Sequence, residues 1–163
     1  PVCPKGVIEA IQAAKKLNLR LVLAAAENSY YLDEVAPLVD GKNVVYEGEL
    51  DLQRKIELLG RARALLYPVQ TDEPFGLVIA ESMSCGTPVI FSNTSSMSEI
   101  SDDPEILVEP KDIKQWTELI NKIIEDAEYA ELLAISGLKR SKEFSWKITA
   151  RQTMNTYKKV LCM

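Results

Sequence analysis

The sequence predicts an α/β protein: a three-layer α/β/α domain with a doubly wound parallel sheet, followed by an all-helical tail. Two observations carry that expectation. Short runs that are apolar at nearly every position, such as RLVLAA at residues 20–25, alternate with segments whose apolar residues recur at helical spacing. Strands apolar on both faces need cover on both sides, which is the condition of a parallel sheet between helices, with right-handed crossovers. From Asp112 onward the strand signals stop and only helical periodicity remains.

The elements follow in order. Val7, Ile8, Ile11, Ala14 and Leu17 form a helical stripe with Glu9, Lys15 and Lys16 off it. Residues 20–25 are the first strand. A helix is expected over 29–39, closed near Gly41. Residues 44–46 form a strand, 52–62 a helix with Ile56, Leu58 and Leu59 inward, and 64–68 a strand. A helix is expected over 76–85, a strand over 88–91 and a last short strand over 106–108. Trp116, Leu119, Ile120, Ile123 and Ile124 make one amphipathic stripe, and Leu132, Leu133, Ile135 and Leu138 a second. Ser145 is placed to cap a third helix, with Trp116 and Trp146 as core anchors. With no repeat and no low-complexity linker, residues 1–163 read as one domain, a sheet core over 1–110 and a helical part over 111–163.

Composition narrows the function. At 163 residues, 47% hydrophobic and 26% charged, the chain has enough apolar surface to fold without staples. Its net charge of -5 gives no global attraction for nucleic acid or anionic lipid, so any bound phosphate needs a local pocket. Histidine is absent, so chemistry that needs an imidazole base near neutral pH must borrow it from elsewhere. Cys3, Cys85 and Cys162 are widely spaced and suit neither a disulfide framework nor a zinc site; Cys85 reads as a small core residue. They suggest a reducing, cytoplasmic setting. No apolar run is long enough to span a membrane, and the start does not resemble a signal peptide. The start at Pro1 without a methionine suggests a segment of a longer chain. Asp102-Asp103 lacks the companion ligands of a metal loop and reads as a solvated turn.

Chemistry concentrates in residues 67–100, YPVQTDEPFGLVIAESMSCGTPVIFSNTSSMSEI. A strand ends at Pro68, a polar loop follows, and a helix opens at Gly76. Ligands of parallel sheets bind beyond the carboxyl ends of the strands, and a helix N-terminus there offers N–H groups and positive dipole to an anion. Gly76 admits close approach, Pro74 stiffens the loop and Phe75 anchors it. Glu73 precedes the helix and Glu81 lies within it, eight positions later. On one helix, eight steps of about 100° leave two residues roughly 80° apart. Carboxylates beside an anion site suit hydroxyl recognition, because they accept two hydrogen bonds without offering a competing donor. On spacing alone, a solvated Glu pair favouring the helix N-terminus explains the same letters.

The order Glu73-Pro-Phe-Gly-Leu-x-x-x-Glu81, Met83, Cys85-Gly86-Thr87-Pro88-Val89-Ile90 and Glu99 resembles the retaining glycosyltransferases of family 4. The resemblance runs from Lys5-Gly6-Val7 to Phe144-Ser145-Trp146, nearly the whole chain. It is to the Rossmann-like, C-terminal, donor-binding domain of a two-domain GT-B enzyme. It implies transfer of a sugar from a nucleotide-diphosphate sugar with retention of configuration. Glu73 would contact donor-sugar hydroxyls, and the backbone N–H groups around Phe75, Gly76 and Leu77 would face the sugar and diphosphate. Glu81 would hold the ribose hydroxyls, and Lys5 would neutralise the leaving diphosphate. No cofactor and no essential metal are implied, the nucleotide sugar being the donor substrate.

The family's pattern also contains features this sequence lacks. An arginine and a central strand precede the lysine in the family, and neither is present before Lys5. Either the polypeptide is longer than this segment, or the sheet has an open slot between the strands near Leu21 and Leu65; the resemblance also implies a separate N-terminal GT-B domain that carries the acceptor. Ala26-Glu27, Ser82 and Ser95-Ser96 depart from the common glycine, alanine and glycine pair. A segment of this kind is expected to bind nucleotide weakly and to transfer no sugar alone. The alternatives are a non-catalytic nucleotide-binding module and an epimerase-like GT-B relative, the Glu73–Glu81 pair favouring a transferase over the epimerase.

Overall fold

The computed structural model describes residues 5–101 and 103–161; Cys3, Cys162, Asp102 and the segment before Lys5 lie outside the described residues. Helix α1 (Val7–Lys16) leads into strand β1 (Leu21–Leu23), which pairs in parallel with β2 (Val44–Tyr46). Helix α2 (Leu52–Arg61) starts at Asp51, whose carboxylate accepts the Arg54 N–H at 2.7 Å and so satisfies one of the helix's open donors. Strand β3 (Leu65–Tyr67), helix α3 (Leu77–Ser84), strand β4 (Val89–Ser92) and strand β5 (Leu107–Val108) follow. Strand β4 lies between β3 and β5, parallel to both, and all four of its residues are buried.

Helices α4 (Ile113–Glu125), α5 (Ala127–Ser141) and α6 (Trp146–Leu161) complete the chain, the first two capped by Asp112 and Asp126. Ser145 accepts the Ile148 N–H at the start of α6, as its position predicts. The main core gathers Ile79 and Met83 of α3, Ile90 and Phe91 of β4, Met97, and Trp116, Ile120 and Ile123 of α4. A smaller core around Ile11, Val35 and Val44 supports β1 and β2.

The parallel strands fall into two groups, β1–β2 and β3–β4–β5, with a cleft of about 1220 Å³ between β1 and β3. Its walls include Val22, Leu66, Ala10, Leu58 and Ile123. Leu21 N–H donates to Asn43 and Glu47 N–H to Leu23, so Leu21 and Leu23 address β2. The intervening Val22 therefore turns its peptide groups to the cleft. Leu65 N–H donates to Pro88, which by the same alternation turns Leu66 to the cleft from the other side. Among the described residues no strand lies between β1 and β3.

Five expectations need correction. Residues 29–39 do not form one α-helix: Tyr31–Val35 makes a wide π-type turn and Ala36–Leu38 a 3₁₀ turn. Pro37 has no N–H to continue an i→i−4 ladder, so the regular helix gives way ahead of it. Helix α5 does not bury the Leu132, Ile135 and Leu138 face, which is exposed. Its inward line runs through Ala130, Leu133 and Gly137, and a Cβ at Gly137 would stand 3.3 Å from Met83 Cγ. Contact with α3 thus selects the smaller side chains, which a search for large apolar residues overlooks. Trp146 is no core anchor: it is 77% exposed, and α6 buries none of its residues. Ile56 is likewise exposed and Cys85 only half-buried.

In hydrogen-exchange measurements, the Val22 and Leu66 amides facing the cleft are expected to exchange at least about tenfold faster than the Ile90 amide, which the register of β3 and β4 sets on Leu65. Equal protection of all three would show that the cleft is closed in solution.

Candidate functional site

The site forms where β3 ends. Tyr67 is its last residue, and the N-termini of α1 and α3 converge on the polypeptide that follows it. The approach of α1 is set by Gly6, at φ +69, where a Cβ would fall 1.8 Å from the Pro68 carbonyl oxygen. No L-residue fits there, so Gly6 is the condition for bringing Lys5 to the carboxyl end of β3. Gly76, at φ +71, heads α3 in the same backbone conformation.

Glu73 occupies the centre. Its Oε2 accepts from Lys5 Nζ at 2.5 Å and from the Tyr67 hydroxyl at 2.8 Å, and its Oε1 accepts the Gly76 N–H at 3.1 Å. Its own carbonyl and that of Pro74 accept from Ser96 Oγ at 2.7 and 2.9 Å, which pins the loop. Burial pushes the Glu73 carboxyl up, but the hydrogen bonds from Lys5, Tyr67 and Gly76 outweigh it and hold it below the usual range. The bond to Glu73 raises Lys5, and burial followed by the bond to Glu73 raises Tyr67. At neutral pH the cluster is therefore a carboxylate, an ammonium and an intact phenol.

The remaining predicted residues divide. Phe75 turns away from the ion pair and meets Phe144 edge-on, ring centroids 5.1 Å apart, the anchoring role expected of it. Leu77 exposes its side chain, leaving only its backbone to the helix N-terminus. Glu81 stands apart from the Glu73 cluster. Its Oε1 accepts from Lys55 Nζ of α2 at 2.5 Å. Lys5, Tyr67, Val78 and Lys55 all line the 1220 Å³ cleft, so each glutamate is held by a lysine that faces one continuous space. Among the described residues no group of three or more His, Cys, Asp or Glu side chains is gathered as for a metal ion, and no helix is long and apolar enough to cross a membrane.

Sequence reasoning missed Tyr67, Ser96 as a clamp, and Lys55. Tyr67 was findable, since the last residue of a parallel strand points to the ligand edge. Lys55 carried no such signal, because nothing local reports which helix faces Glu81.

This is a Rossmann-like α/β domain of GT-B type, with Lys5, Glu73 and the N-terminus of α3 gathered where β3 ends. The family profile of glycosyl transferases group 1 matches residues 3–140, and the chain belongs to that family. It is 38% identical over 101 residues to O-antigen chain mannosyltransferase B of Escherichia coli, an alignment covering 62% of this chain and 26% of that protein. It is 29% identical over 175 residues to alpha-maltose-1-phosphate synthase of Mycobacterium tuberculosis, covering 96% of this chain and 45% of that one. The chain thus spans less than half the length of these curated relatives. Sucrose-phosphate synthase of Thermosynechococcus elongatus superposes with a TM-score of 0.83 at 26% identity, covering 97% of this chain and 43% of that one. The Anabaena protein HepE, solved with UDP-glucose, superposes at 0.84 with 21% identity, covering 95% and 45%, a likeness of fold.

Two outcomes test this geometry. Glu73→Gln should cost roughly 1–2 kcal/mol at pH 7, since a charge-assisted bond is lost beside a half-exposed lysine. Because the folded Glu73 pKa lies below its unfolded value, that difference should persist above about pH 4.3 and vanish as pH falls through the folded value. Denaturant titrations of both proteins across pH 2–7 would show it. Gly6→Ala should lose roughly 2–4 kcal/mol in the same assay, from backbone strain and the clash with Pro68.

Proposed function

We propose that this chain is the donor-binding domain of a retaining glycosyltransferase that uses a nucleotide-diphosphate sugar. The observation that supports it best is the Glu73 cluster, which sets an ammonium, a helix N-terminus and a carboxylate around one point at the carboxyl end of β3. In this reading the diphosphate lies against Lys5 and the start of α3. The ammonium has three donors and Glu73 takes one of them. Glu73 orients the donor-sugar hydroxyls, and Glu81 holds those of the ribose.

During transfer the bond from the anomeric carbon to the diphosphate oxygen breaks, and that oxygen keeps the electron pair. Lys5 and the α3 dipole stabilise the developing charge without a metal. The acceptor hydroxyl forms its bond to the anomeric carbon on the face the diphosphate leaves, its proton passing to the departing phosphate. The acceptor belongs to a separate GT-B domain, and the cleft between β1 and β3 suits a further parallel strand joining the two strand groups.

Calorimetric titration with UDP, GDP and ADP tests it. At least one is expected to bind weakly, with Lys5→Ala and Glu81→Ala each weakening it roughly 10–100-fold, the range for losing a hydrogen bond to a charged group. Binding that neither substitution changes would reject the site. The chain by itself is expected to transfer no sugar from UDP-glucose or GDP-mannose to simple glycoside acceptors; measurable transfer would reject its role as one half of an enzyme.

A further inference from the structure

Lys55 has no place in the reading so far, yet it is the partner of Glu81. The carboxylate sits in the middle of α3 with 40% of its side chain exposed, a position from which a glutamate samples several rotamers. Lys55 reaches it from the neighbouring α2, with its own side chain 33% exposed, and lines the same cleft as Lys5. The adjacent cation behaves differently. Arg54 is taken up by Glu47, through three contacts of 2.8–3.0 Å, and by Glu57 at 3.1 Å. Of two consecutive cations on α2, one is committed to a carboxylate before the helix and one within it, while the other crosses to α3.

We infer that Lys55 is a positioning and specificity residue for nucleotide hydroxyls: it holds Glu81 in one rotamer and, with it, completes the recognition of a vicinal diol. This rests on the proposal that Glu81 takes the ribose. A hydroxyl is one donor and two acceptor sites, and a carboxylate satisfies only the donor. An ammonium bonded to that carboxylate stands where it donates to the hydroxyl oxygen. The pair thus matches both halves of each hydroxyl, and a deoxy ligand leaves both a carboxylate oxygen and an N–H without their partner. Sites built to bond a hydroxyl reject analogues lacking it far better than apolar pockets do.

The test compares the wild-type chain with Lys55→Met, Lys55→Arg and Glu81→Ala, titrated with whichever of UDP, GDP or ADP binds and with its 2′-deoxy and 3′-deoxy forms. Wild type is expected to prefer the ribonucleotide roughly tenfold or more over at least one deoxy form, the order of one hydrogen bond to a charged group. Lys55→Met should reduce that ratio to about 2 or less, and Lys55→Arg should restore most of it. Thermal unfolding of each variant controls for folding. A lysine that merely tied α2 to α3 would lower the melting temperature and leave the ratio unchanged, which would overturn the inference. So would a ratio lost in Glu81→Ala but kept in Lys55→Met. Unchanged binding and ratio in Glu81→Ala would instead reject the ribose assignment of Glu81, and no binding by any of the three nucleotides would reject both readings. Should Lys55→Met fail to fold, Lys55→Gln keeps the stem polar and carries the same expectations.

Discussion

The geometry of the site depends on one carboxylate. Glu73 is only 12% exposed, and an ionised carboxylate that far from water is tolerable only when its oxygens are occupied by donors. It collects them from three separate places: Lys5 two residues before α1, the last residue of β3 and the glycine that precedes α3. That requirement draws two helix N-termini to one strand end. Gly6 makes the approach sterically possible, and Ser96 holds the loop from the far side through the Glu73 and Pro74 carbonyls.

The rest of the architecture serves that convergence. Strand β4, buried along its length, and the α3–α5 contact through Gly137 and Met83 give the loop a rigid base. The helical part contributes through Trp116, whose indole N–H is satisfied by the Glu109 and Pro110 carbonyls so that the ring can fill the core. The other flank is open by comparison. Strands β1 and β2 share a small core of their own and form a sheet separate from β3–β4–β5 among the described residues. The open flank exposes one strand edge on each side, Val22 of β1 and Leu66 of β3.

The charge balance has a local meaning as well. A net charge of -5 opposes an anionic ligand, yet the lysines that face the cleft are each already matched to a glutamate. Matched pairs avoid the cost of a bare ammonium in a half-buried cleft, and they leave the remaining ammonium donors for a ligand.

Sequence alone determined the parallel α/β class, the strands within a residue or two, and the strand–loop–helix unit that carries Glu73, Gly76 and Glu81. These are local or periodic properties: continuous apolar runs, a capping residue such as Ser145, and a motif confined to one stretch of chain. Tertiary structure decided what periodicity cannot encode. Close packing between α3 and α5 chose the line Ala130, Leu133 and Gly137, with two small residues in it, over Leu132 and Ile135, because helix contact rewards fit and not size. It left Trp146 in solvent, since a helix buries only the face that another element covers. It brought Lys5 to Glu73 across 68 positions and Lys55 to Glu81 across 26. Ion pairs at such separations arise from the packing of α1 and α2 beside α3, and no pattern within a single element specifies them.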